Sequence, residues 1–264
     1  MAASIKAWID TAVCIWVPAW RNNPSKPLPG APSAAECRIV AVDVASQGFG
    51  KVSSLLVGIG HVERQLENAI ALLDAYTTDD GLRYLDYEQV SSPNVLVPDD
   101  LAVTILINSR VNSSAFKSVQ DLGPSLPLAL TPTTPLEDST PALRQQIAEL
   151  IAEMASWAGF ASSVATKILH KKRPATIPIL DNQAIFGAYM NPAWPQESSR
   201  QDSVYAVNRI REALDWLHTD LADQRNAATW AALHRRAPSR TRVELFDMVW
   251  WSYFRRVEPV RRTG

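Results

Sequence analysis

The chain has 264 residues, of which 47% are hydrophobic and 20% charged, enough to bury a core without disulfide or metal staples. A formal net charge of -1 excludes a histone-like polyanion binder, and two cysteines, Cys14 and Cys37, exclude a disulfide scaffold, a four-cysteine zinc site and a cysteine-ligated iron–sulfur cluster. The longest apolar run, Thr11 to Trp20, is broken by Pro18 and too short for a bilayer, and no basic n-region opens the chain, so the expectation is a cytoplasmic protein that contacts no membrane and needs no cofactor.

Helical spacing of Ile5, Trp8, Ile9, Ala12, Val13 and Trp16 predicts a first helix over Ala3 to Val17. A Pro-rich loop follows, and then Arg38 to Ala45 and Arg83 to Val90 alternate as short strands do, with a helix over His61 to Tyr76 between them. From Pro98 onward the pattern is almost wholly helical. The predicted helices are Pro98 to Ile107, Ser113 to Leu122, Pro141 to Trp157, Ser163 to His170, Asn182 to Met190, Ser203 to Leu221, Ala227 to His234 and Thr241 to Arg255. Pro124 to Pro141 reads as a loop between two helical groups, and Thr241 with Glu244 reads as a capping box. The fold class is therefore mainly α, with a smaller mixed α/β N-terminal region.

Charge is unevenly spread. Residues 1 to 132 carry 9 Lys+Arg against 13 Asp+Glu, whereas residues 133 to 264 carry 17 against 14. Lys167, Lys171, Lys172 and Arg173 lie together, and Arg235, Arg236, Arg240, Arg242, Arg255, Arg256, Arg261 and Arg262 crowd the C-terminus, which suggests a localised polyanion footprint.

Two phosphate-loop patterns fail. Gly48-Phe49-Gly50-Lys51-Val52 lacks the leading glycine, replaced by Ala45, and the Mg²⁺-binding hydroxyl, replaced by Val52; Gly58-Ile59-Gly60 lacks the third glycine of a dinucleotide fingerprint. His61, His170, His218 and His234 show no metal-ligand spacing.

The informative stretch is Leu150 to Met190: an amphipathic helix, a tight turn Ala158-Gly159-Phe160-Ala161-Ser162, a short helix, a basic loop ending Ile177-Pro178, and Asp181 opening another helix. Backbone N–H groups at such a turn can hold a phosphate, with lysines adding charge, and the loop would set the Asp181 carboxylate near the adjoining sugar.

This stretch resembles the helix-hairpin-helix DNA glycosylase superfamily, through Ala158 to Lys167 followed by Pro174, Pro178 and Asp181. A second match, Asp100 to Arg110, is similar to the family's helix-then-polar-loop, whose polar side chain fills the gap left by an extruded base. The segments Lys167 to Asp181 and Leu245 to Trp251 also look like an uncharacterised bacterial family of unknown function. The resemblance covers a glycosylase-like domain over 95–256; residues 1–94, which it does not cover, are expected to shape the pocket, and residues 257–264 to form a basic tail. Ala161 stands where the family hairpin has its second glycine, and one extra residue separates Pro178 from Asp181. Where strand-cutting members carry a lysine, this chain has Ser162 or Ser163.

The activity so implied is that of a monofunctional DNA glycosylase, probing DNA as a monomer, flipping out a damaged or modified base and hydrolysing its N-glycosidic bond to leave an abasic site, in DNA repair or antiviral defence. Asp181 would be catalytic. Gly159, Ala161, Ser163, Lys167, Lys171, Lys172, Arg173, Asn108, Ser109, Arg110 and Asn112 would contact DNA, and Trp157, Phe160, Tyr189 and Trp194 would form the base pocket, with no metal. The alternative is a non-catalytic helix-hairpin-helix DNA-binding protein in which Asp181 only caps its helix.

Overall fold

The structure is a computed structural model that describes residues 54–59, 62–78, 91–107, 109–191 and 206–262. The chain divides into compact units 1–48 and 49–264, and every described residue belongs to the second. The expected helix over Ala3 to Val17, the expected strands Arg38 to Ala45 and Arg83 to Val90, and the residues Asn108 and Trp194 lie outside the described residues.

A β-hairpin comes first, formed by β1 (Leu55–Ile59) and β2 (Val62–Leu66) paired antiparallel with Ile59 opposite Val62. Strand β1 alternates buried and half-buried residues, as a one-sided strand should. The expected helix over His61 to Tyr76 is therefore corrected at its start. The stretch Val62-Glu63-Arg64-Gln65 has no apolar stripe to bury, so it takes up β1's hydrogen bonds instead. Asn68, at φ +57°, then turns the chain into α1 (Ala69–Thr78), its carbonyl accepting from Leu72 N.

The helices α2 (Pro98–Val103), α3 (Ser113–Leu122), α4 (Pro141–Ala155), α5 (Ser162–Lys172), α6 (Val207–Ala222), α7 (Ala227–Arg236) and α8 (Arg242–Arg262) follow, with a 3₁₀ turn over Thr104–Ile107 and a π-helical segment over Ala184–Tyr189. The fold class is mainly α, as expected. Local chemistry marks several starts. Asn112 accepts from Ala115 N at 3.0 Å, Thr140 Oγ1 accepts from Leu143 N, and at α8 Thr241 N donates to Glu244 Oε2 while Glu244 N donates to Thr241 Oγ1, the capping box expected there.

Helix α5 is the central element. Every residue from Val164 to Arg173 is buried, with Ala165, Ile168 and Leu169 at its apolar heart, and α4 packs along it. Helix α4 also packs against α6, and α1 packs against α8. Among the described residues, the outer edge of β1 is met by side chains. Leu56 N donates to Asn226 Oδ1 at 2.8 Å, Asn226 Nδ2 donates to Leu56 O at 2.9 Å, and Gly58 N donates to Asp220. Burial raises the Asp220 carboxyl to about 6, while the Tyr189 hydroxyl, donating at 2.6 Å, works against that rise.

Candidate functional site

The loop from α5 to Asp181 is fixed to the helix that precedes it. The His170 ring donates from Nδ1 to Ile177 O at 2.7 Å, and Leu180 N donates to Thr166 Oγ1 at 3.0 Å. His170 is fully enclosed, and burial holds its ring down at about 4, so it is neutral and carries the Nδ1 proton that this bond requires. Thr176 Oγ1 donates to Thr134 O, and Thr241 Oγ1 donates to Pro174 O, so the loop is held from both flanks.

Asp181 ends this loop. Its Oδ1 accepts from Gln183 N at 2.8 Å and Ala184 N at 2.9 Å, which caps the π-helical segment; its backbone carbonyl accepts from both Ile185 N and Phe186 N. The second carboxylate oxygen, Oδ2, accepts no hydrogen bond from a described residue.

Asp181 opens into a cleft of about 490 Å³. The wall brings together Ala161, Ser163 and Lys167 of the α5 turn and helix, Ser109 and Arg110 of the loop before α3, and Asp247 and Trp251 of α8. Ser163 with Lys167, and Asp247 with Trp251, are each four apart on their helices and so share one face. Lys167 Nζ donates to Ile107 O at 2.7 Å; burial lowers its ammonium, while the charges of Asp181 and Asp247 push it back up. Burial raises the Asp247 carboxyl to about 7, Asp181 adds to that rise, and Lys167 opposes it.

Other expected site residues are elsewhere. Lys172 and Arg173 do not reach the surface as phosphate contacts: Lys172 pairs with Asp100 at 2.7 Å and donates to Ser92 O, and Arg173 donates to Thr131 O, Pro93 O and Asn94 Oδ1. Desolvating two cations requires such partners, so these charges serve the interior. Lys171 is buried too, and does not line the cleft. Gly159, at φ +82°, and Asn112 pack against each other away from the cleft.

The expected base pocket is corrected as well. Trp157 and Phe160 pack edge to face at 5.6 Å in the core, and Tyr189 is fully buried against Asp220; none lines the cleft. Among the described residues, Tyr76 and Trp251 are the aromatic residues on its wall. Much of the C-terminal basic cluster is also paired: Arg236 with Asp74, Arg240 with Glu244 and Arg242 with Glu137.

Sequence reasoning missed Asp247 and Trp251. The available signal was Asp247 itself, a lone acid inside the apolar run Leu245 to Trp251, where a charge has no packing use. Trp250 is core as expected, its Nε1 donating to Ala184 O at 3.0 Å, but Trp251 turns its ring to the cleft wall.

Among the described residues, no cluster of three His, Cys, Asp or Glu side chains could hold a metal ion, and no helix is long and apolar enough to cross a membrane. The described residues define a mainly helical protein with a cleft whose wall holds two carboxyls and a buried lysine. Residues 69–254 match a family of unknown function, DUF6308, and the chain belongs to that family. Neither a curated protein nor a solved structure matches it.

Proposed function

We propose that the protein is a DNA glycosylase of helix-hairpin-helix type, which flips a damaged or modified base into the Asp181 cleft and hydrolyses its N-glycosidic bond. The observation that carries this reading is that Asp181, with Oδ2 open, shares one cleft wall with the start of α5 and with the polar Ser109–Arg110 loop. A carboxylate there stabilises the positive charge that develops on the sugar and takes a proton from the attacking water. The first N–H groups of α5, beside Ala161 and Ser163, suit a backbone phosphate, and the exposed Arg110 suits the gap left in the stack. With Lys172 and Arg173 committed to the interior, few phosphates are touched, and binding has a shallow salt dependence. Lys167 holds Ile107 O and serves as a wall residue, so the reaction stops at the abasic site.

One observation favours the non-catalytic rival: the two backbone N–H groups that Asp181 Oδ1 accepts would be satisfied equally by a simple cap. The test incubates the full chain with duplexes that each carry one modified base, then breaks abasic sites with hot alkali. Base release lost in Asp181→Asn and largely kept in Lys167→Ala supports the reading, whereas full activity in Asp181→Asn removes it. Borohydride should trap no protein–DNA adduct; an adduct that disappears in Lys167→Ala would make the enzyme a lyase as well.

A further inference from the structure

Asp247 lies on α8 one turn before Trp251, and both line the cleft that Asp181 opens into. Its carboxyl forms no hydrogen bond and no ion pair with a described residue, although it sits within the influence of Asp181 from the loop, Lys167 and Lys171 from α5, and Glu244 from its own helix. A partly buried carboxyl normally earns its place through such bonds, and one without them at a cleft wall is a candidate for work on a ligand. Two other polar atoms of wall residues, Ser109 Oγ and Trp251 Nε1, are buried without a partner among the described residues. Three unpaired polar groups therefore meet at one cleft, against the general rule that folds satisfy them. Burial and the neighbouring Asp181 raise the Asp247 carboxyl to about 7, so it holds its proton over the lower part of the physiological range.

We propose that Asp247 is the proton donor of this site: its carboxylic acid protonates the departing base while the Asp181 carboxylate faces the sugar. The inference rests on the glycosylase reading and divides the labour between two carboxyls. The bond between C1′ and the base nitrogen breaks with its electron pair going to the base, and the Asp247 proton ends on that base. Water adds its oxygen to C1′ and its surplus proton passes to Asp181. Solvent then reprotonates Asp247 and takes the proton from Asp181, which returns both groups to their starting forms. A neutral base is a poor leaving group as an anion, so supplying the proton is where a second carboxyl accelerates the step. A carboxyl raised by burial and by a neighbouring aspartate fits an acid beside a stabiliser better than a second copy of the same role.

The test uses the full chain, duplexes that each carry one uracil, hypoxanthine or 8-oxoguanine, and carbon-13 carboxyl NMR of aspartate-labelled protein titrated with the corresponding free bases. Base release by the wild type should fall about tenfold per pH unit above about pH 7, as a required acid is lost. Asp247→Asn should be slower by roughly a hundredfold at pH 6 and lack that alkaline fall. A variant with the wild-type rate and profile overturns the proposal and leaves the glycosylase reading standing. If no duplex is cut, the glycosylase reading fails. In that event an Asp247 resonance whose titration midpoint moves on adding a free base keeps Asp247 as a donor to a base-like ligand, and a resonance unmoved by every base overturns it. The resonance is read on the wild type, so the outcome does not depend on how well the variant folds.

Discussion

Gly159 abuts the Asn112 cap so closely that a Cβ on the glycine would fall onto Asn112 Oδ1 and within 2.6 Å of Ala115 N. Ser118 Oγ adds a bond to Ala158 O at 3.0 Å, so the turn before α5 is seated on the first turns of α3. The glycine is required twice, by this contact and by its φ of +82°. Gly159→Ala should cost about 2 to 4 kcal/mol, combining backbone strain with displacement of a helix cap. Urea denaturation should show the midpoint falling with an unchanged slope. A loss well below 1 kcal/mol would mean that α3 and the turn can part without consequence.

Lys172 and Asp100 tie the end of α5 to the start of α2, and both side chains are almost wholly withdrawn from water. Asp100 Oδ2 also accepts from Val97 N and Ser91 Oγ, which leaves the carboxylate well bonded but dependent on the lysine for charge balance. Lys172→Met should destabilise the protein by about 3 kcal/mol, because it strands a buried carboxylate. Adding Asp100→Asn should recover part of that loss, since the amide oxygen can still accept from Val97 N and no charge remains. The salt dependence of DNA binding by Lys172→Met should match the wild type. A shallower slope would return Lys172 to the phosphate-contacting set.

Chemistry local to the chain was the part legible in advance. The Thr241–Glu244 pair announced the start of α8 because capping is decided within four residues. Gly159 and Asp181 were legible for the same reason, one as a tight turn and the other as a residue opening a helical segment. The fate of Lys172 and Arg173 was not, since their partners Asp100 and Thr131 lie 72 and 42 residues away in the chain and only tertiary packing brings them together. Val62 to Leu66 was misread as helix because a strand's partner is equally invisible from within its own window. Asp247 reached the site through α8, some 66 residues after Asp181, and no local pattern links the two.

Asp181→Asn separates the two things Asp181 does. Its Oδ1 accepts from Gln183 N and Ala184 N, and an asparagine Oδ1 can accept both. Stability should therefore change by less than about 1 kcal/mol, in keeping with the similar capping strengths of Asn and Asp. Base release should fall by at least about a hundredfold, because the amide cannot stabilise a developing cation or take a proton. A thermal melt and a single-turnover assay on the same preparation check both. A large loss of stability with proportionate loss of activity would point to the cap alone.

His170 and Asp247 act on stability in the same pH window with opposite signs. His170 is held down at about 4, below its ordinary value, so the unfolded chain takes up the proton first, and stability is lost as pH falls from about 6.5 toward about 4. Asp247 is held up at about 7, so the folded protein keeps a proton the unfolded chain has released, and stability is lost as pH rises from about 4 toward about 7. Asp220, raised to about 6, adds to the second direction. Asp247→Asn removes the penalty of ionising that carboxyl without breaking a hydrogen bond, and should raise stability at about pH 8 by roughly 1 to 2 kcal/mol once partial solvent access is allowed for. The gain should vanish near pH 4, where Asp247 is neutral in the folded protein, and the remaining His170 effect should then steepen the acid-side loss. His170→Gln should do the reverse, leaving stability to decline as pH rises through the same window. Urea midpoints measured across that range read both slopes, and a gain from Asp247→Asn that persists unchanged to pH 4 would show that the carboxyl's charge is not its source.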